Sequence, residues 1–302
     1  MSKSYDERRK VICGDFIYLV DDDDMTAWIG EGHTGGGRTA VLPESVVLEG
    51  RTYKIRSVEI GAYAGEEELE ELYIPDCYEF IDEDSFHGCD RLRTVHIGKG
   101  LRWYCYWSFS GSPIEKIDID PDNPFLKVSD DGCSVLSKDG KTMFYNVIPK
   151  PVLAVQDGVE ELAECAISCN DITEEITLPV SLRKLGPNAI FKCHRLRMLT
   201  FHEGLVEVGL QSLYENESLR EIDFPSTLHS VGFEAFTYDG HLEKLTLRSR
   251  QVVDIEVSDR WDILEHCPLK TCHLMVPADL LSEYKRHLFW GRFTHIEPIE
   301  QQ

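Results

Sequence analysis

The chain has 302 residues, 42% of them apolar, and its 54 acidic against 31 basic side chains leave a net charge of −23. That much apolar material builds a sizeable core, and no low-complexity tract argues for disorder. The negative field disfavours nucleic acid and anionic lipid as partners, and no apolar run is long enough to span a bilayer, so membrane insertion is not expected.

The N-terminus, MSKSYDERRK, is polar and charged. The apolar run after it contains Asp15, stops at the acidic turn 21–24 and carries no small-residue cleavage site. It does not read as a signal peptide, so the expected location is cytoplasmic and the ten cysteines are expected as thiols. Segments 11–20 and 39–48 are rich in β-formers between Gly and Asp clusters. Between them Gly30, Gly32 and Gly35 spell a dinucleotide fingerprint. That motif needs a helix after it, whereas more glycines and a strand-like segment follow, so a hairpin loop is expected instead. Residues 1–57 read as a β-rich N-terminal cap.

From residue 58 one unit recurs. Leu185, Val208 and Val231 lie 23 residues apart, each followed by glycine (Gly186, Gly209, Gly232). Leu196, Leu219 and Leu242 follow eleven residues later, and Leu199, Ile222 and Leu245 three beyond those. Numbering each copy from its first apolar residue, positions 1, 5, 9 and 12 suit a helical turn, and 15 and 17 suit a short strand. Earlier copies start at Val58, Ile81, Trp103 (looser) and Leu162, the last with Ile172 one place early. At position 9, Cys89 and Cys193 suggest a small buried apolar group. A unit of this size cannot bury its own faces and stacks on its neighbours. The expected fold is therefore an α/β repeat solenoid with a parallel β-sheet on one face.

Residues 58–119 hold three copies. The register then breaks over 120–158, where Asp131-Gly132 and Asp139-Gly140 between apolar alternations mark an inserted β-hairpin. Repeats resume over 159–275, with a degenerate last copy around Cys267, Cys272 and Leu274. Residues 276–302 differ: Pro277 and Asp279 open a helix near 278–288, and Trp290 and Phe293 lead into a final strand, together a C-terminal cap.

Three stretches, VGFEAF…LEKLTL, LGPNAIFKCHRLRMLTF and IDEDSFHGCDRLRTVHI, resemble the BspA-type leucine-rich repeat, with Pro75, Pro179 and Pro225 as its closing proline. The insertion and both ends also look like that family's, so the resemblance covers roughly residues 11 to 299; it departs at the aromatic run 103–111 and near Cys165. It implies a right-handed leucine-rich-repeat solenoid without catalytic machinery. It also implies relatives at the surfaces of bacteria and some parasitic protists, associated with adhesion.

If positions 15 and 17 face inward, positions 14, 16 and 18 face outward along the sheet. The strip so formed includes Tyr73, Thr94, His96, Lys116, Asp118, Thr177, Met198, Thr200, His202, Asp223, Lys244 and Thr246. It reads either as a solvated sheet face or as a binding strip for another protein; solenoids use such strips for binding, and the mixture of Tyr, His, Met and charge suits a protein contact. His266, Cys267, Cys272 and His273 form a loose zinc pattern, but core packing accounts for both cysteines. Asp118, Asp120 and Asp122 resemble a calcium loop, interrupted by Pro121 and with Ser129 where a glutamate is needed. No nucleophile elbow or phosphate loop is present. No enzyme, metal or cofactor is expected. A non-catalytic protein-binding solenoid is the first reading, and a cell-surface adhesion or glycan-binding protein seen without its leader the alternative.

Overall fold

The computed structural model describes residues 8–14, 16–32, 37–104, 107–237, 240–255 and 269–300. They fall into two compact units, 1–138 and 139–302, dividing inside the stretch expected to be an insertion. Among the described residues of both, strands dominate; helix is confined to Leu281–Arg286, near where one is expected, and a 3-10 turn at Trp290–Arg292.

The α/β expectation is thereby corrected: the repeats are β-coils. The reason is local. Position 4 of the copies is Gly61, Asp84, Cys165, Asn188, Gln211 and Glu234, and all have φ between 50° and 66°. Position 8 is Gly65, Gly88, Cys169, Lys192 and Glu215, with φ between 50° and 73°. Two left-handed residues four apart forbid a right-handed helical turn. The amides go to the next coil instead. Gly61, Tyr63 and Gly65 donate to the carbonyls of Glu83, Ser85 and His87, and Asn188, Ile190 and Lys192 donate to those of Leu210, Ser212 and Tyr214. Backbone donors that a helix would satisfy internally are satisfied between coils.

In the first unit, Arg9–Cys13, Phe16–Asp21 and Thr26–Glu31 form an antiparallel meander. Thr26–Glu31 runs parallel to Arg51–Val58, whose hairpin with Ser45–Leu48 turns on Glu49 and Gly50, both at positive φ as a two-residue turn of that twist requires. Thr39–Val41 pairs with Glu71–Ile74 rather than with Thr26–Glu31, so the strands flanking the glycine-rich segment do not pair with each other; the hairpin loop expected there falls on residues 33–36, outside the described residues. The position-1 ladder continues through Phe80–Ile81 to Trp103–Tyr104. There Tyr104, not Trp103, pairs with Ile81, so the loose copy starts one residue later than its spacing suggests. A second parallel sheet stacks Thr39–Val41, Glu71–Ile74, Thr94–Ile97 and Lys116–Ile119. Leu126–Val128 and Ser134–Ser137 pair antiparallel across Asp131-Gly132.

In the second unit Leu162, Leu185, Val208, Val231 and Ile255 pair in sequence along the position-1 ladder. The outer strands form two sheets: Val152–Ala154, Glu175–Thr177 and Met198–Thr200, then Glu221–Phe224, Lys244–Leu247, His273–Val276 and His295–Pro298. Leu196, Leu219 and Leu242 are all buried. In the irregular copy, exposed Ile172 gives up that place to buried Thr173, whose hydroxyl donates to Lys150 O at 2.7 Å.

Position 9 wants more than a small apolar group. Cys89 Sγ, Ser112 Oγ, Cys193 Sγ and Asn216 Nδ2 donate to the carbonyls of Tyr63, Phe86, Ile167 and Ile190. Each acceptor is position 6 of the coil before. None of the eight described cysteines is in a disulfide, and Cys89 and Cys193 are buried.

Candidate functional site

Strand alternation turns Leu72, Ile74, Val95, Ile97 and Ile117 into the core of the first unit and leaves Glu71, Tyr73, Thr94, His96, Lys116 and Asp118 on the outer face. Parallel register aligns Tyr73, His96 and Asp118 in one row and Glu71, Thr94 and Lys116 in the next. The Tyr73 and His96 rings stack with centroids 4.2 Å apart and planes inclined by 10°. Glu71 Oε1 lies 3.0 Å from His96 Nε2 and accepts the Tyr73 hydroxyl at 3.0 Å. Asp118 Oδ2 lies 3.2 Å from His96 Nδ1 and accepts Lys116 Nζ at 2.5 Å. The imidazole is thus held between two carboxylates. Hydrogen bonds from His96 and then Tyr73 hold the Glu71 carboxyl below the usual carboxylate range, and the bond to Glu71 pushes the Tyr73 phenol up.

Tyr73, His96 and Asp118 also line an open cleft of about 770 Å³. Its other walls include Val41, Glu44, Asp76 and Asp120, and among the described residues no lysine or arginine lines it. Asp76 Oδ1 accepts the Lys99 amide at 2.8 Å, and Asp120 Oδ1 accepts the Asp122 amide at 2.8 Å. Asp122 itself pairs with Lys99 at 2.9 Å. The three aspartates from 118 to 122 are therefore engaged in a turn and in ion pairs. The apolar-polar rhythm anticipates the Tyr73–His96–Asp118 row but misses Val41, Glu44 and Asp76. Val41 and Glu44 come from the segment before the repeats, where no periodicity points to them.

In the second unit Thr177 and Thr200 are register partners, and Met198 is partnered with Glu175. Met198 is 54% exposed. His202, two residues past its strand, is half-buried. Asp223 and Lys244 stand on the other outer sheet; Asp223 is bound twice by Arg248 at 2.7 Å, and Lys244 lies 3.4 Å from Glu221. The strip is therefore split between Met198–Thr200 and Glu221–Phe224 in this unit. Thr246 is a correction: it is only 3% exposed. Its short side chain sits in register between Asp223 and Met275, and Arg248, just past Thr246's own strand, reaches across to Asp223.

Of the residues in the loose zinc pattern, His266 and Cys267 lie outside the described residues. Cys272 is buried, whereas His273 faces outward beside His295 and Glu297. The last two lie beyond the repeat register, and sequence reading missed them.

A family model described as a BspA-type leucine-rich repeat region matches residues 56–129 and 139–258 in six copies, more than half of the chain. The chain belongs to the BspA-type leucine-rich repeat family. Among solved structures, this BspA-type protein is similar to the pneumococcal vaccine antigen PcpA, with a TM-score of 0.52 and 12% identity over 97% of this chain and 99% of that one. It is similar to a leucine-rich repeat protein from Eubacterium ventriosum at a TM-score of 0.53 and 11% identity, over 87% and 82% of the two chains. A leucine rich cell surface protein from Faecalibacterium prausnitzii aligns at a TM-score of 0.45 and 14% identity, over 87% and 98%. Identities this low speak for fold alone. No curated protein matches the chain. The fold is typically non-catalytic, and among the described residues no helix is long and apolar enough to cross a membrane. The cytoplasmic expectation finds no support among these relatives.

Proposed function

We propose that this BspA-type protein is a non-catalytic binding protein whose outer sheet face, centred on Tyr73 and His96, takes up a basic segment of another protein. The observation that carries this reading is the cleft: a stacked phenol–imidazole pair beside Glu44, Asp76, Asp118 and Asp120, with no lysine or arginine among the described residues of its walls, Lys116 being held by Asp118 in the next row. An aromatic ring face attracts a guanidinium or ammonium, and a wall of one sign of charge steers the opposite sign toward it. In the second unit, taken by itself, the outer residues Thr177, Met198, Thr200, His202, Asp223 and Lys244 remain a separate candidate contact surface.

Peptide display against the whole chain tests this. Selected peptides should be enriched in Arg and Lys, and Tyr73→Ala with His96→Ala should weaken them by about tenfold or more, as loss of a central anchor does. Peptides without basic enrichment, or with affinity unchanged in that variant, would move the site elsewhere.

The same stacked pair supports a second reading, adhesion to a glycan at a cell surface. A ring platform flanked by hydrogen-bonding carboxylates suits the apolar face of a sugar. A glycan array bound by the parent chain and lost in Tyr73→Ala would favour that reading over the peptide one.

A further inference from the structure

We propose that His273, His295 and Glu297 form a surface site for a divalent transition-metal ion of the zinc type. The two histidines are register partners on the adjacent parallel strands His273–Val276 and His295–Pro298. Strands about 4.8 Å apart hold such partners side by side, and the imidazoles stack with centroids 4.6 Å apart and planes inclined by 12°. Glu297 lies two residues beyond His295 and so projects from the same face; its Oε1 is 3.1 Å from His273 Nδ1. One ligand atom from each of the three residues lies within 4.8 Å of the other two.

Ligands about 2.0–2.2 Å from a tetrahedral zinc ion stand roughly 3.3 Å apart. The His273–Glu297 pair already has about that spacing, and the half-buried His295 ring would have to turn to bring its ligand nitrogen from within 4.8 Å to that distance. Two imidazoles and one carboxylate are a donor set that zinc accepts while keeping a position open for water or for a partner's side chain. The neighbouring cation in the His273 row, Lys244, has its ammonium 3.4 Å from Glu221 on the next strand. The buried Cys272 thiol is not a member of the set.

The test uses the whole chain, stripped with a chelator and with its exposed thiols alkylated, titrated calorimetrically with zinc chloride. One saturable equivalent per chain is expected. His295→Ala and Glu297→Gln should each weaken it by about tenfold or more, a loss in the range found when the surroundings of a metal site are cut back. His229→Ala, an exposed histidine outside the cluster, should leave it unchanged. His273 and Glu297 are exposed and His295 is half-buried, and circular dichroism checks that the variants keep the parent fold. No saturable uptake, or uptake equal in the parent and His295→Ala chains, would overturn the proposal and leave His273 and Glu297 as an ordinary ion pair.

Discussion

Gly65 and Gly88 hold a left-handed backbone position that Cys169, Lys192 and Glu215 hold in later copies. An added Cβ at Gly88 would meet nothing within 4 Å, so its replacement tests the backbone alone. Gly88→Ala should cost about 1 kcal/mol, the difference between glycine and other residues in that region, read as a shift in the denaturant midpoint with unchanged slope. These positions also explain where sequence reading failed. Recurrence at three-to-four-residue spacing is plain from Leu185, Ala189, Cys193 and Leu196. Nothing in the residue types Asn188 and Lys192 announced that both would adopt positive φ, so the spacing read as a helical turn. Position 9 was half legible: small size showed in Cys89 and Cys193, but the shared acceptor, a carbonyl one coil back, appears only in three dimensions.

Between elements, the repeated glycine after position 1 has a steric cause. A Cβ at Gly232 would lie 2.4 Å from the carbonyl carbon of Gly209 and from the nitrogen of Leu210, both backbone atoms that cannot swing aside. Gly232→Ala should therefore force neighbouring coils apart and cost about 1–3 kcal/mol, the usual range for overpacking. Gly240→Ala, with nothing within 4 Å, is the matched control, and thermal unfolding of the pair makes the comparison. At this scale the outward row of Tyr73, His96 and Asp118 was readable because strand alternation is strict. Thr246 was not, because burial at an outward position depends on the lengths of the side chains beside it. His295 and Glu297 escaped notice because the last strand carries no repeat pattern.

For the molecule as a whole, the long period made the family and the stacked architecture legible, while the ligand left no mark in the spacing. The cleft depends on residues from outside the repeats. Composition does bear on the response to alkali. Burial pushes the Cys193 and Cys272 thiols and the Tyr284 phenol up to about 12, whereas an unfolded thiol ionises near 8.5 and an unfolded phenol near 10. Above those ordinary values the unfolded chain releases protons that the folded chain retains, so stability falls as pH rises. Each thiol withdraws about 1.4 kcal/mol per pH unit between its unfolded and folded pKa values. The melting temperature should be lower at pH 11 than at pH 9, and Cys193→Ala should flatten that decline.

Because the amides at positions 4, 6 and 8 bond to the following coil rather than to their own, copies can change length only outside that bonded segment, as between Val231 and its partner Ile255 or Leu245 and its partner Leu274. An extra residue between positions 4 and 8 would throw that copy's donors out of step with their acceptors. A whole duplicated copy would find a matching partner above and below, so genes for such proteins are expected to grow by tandem duplication.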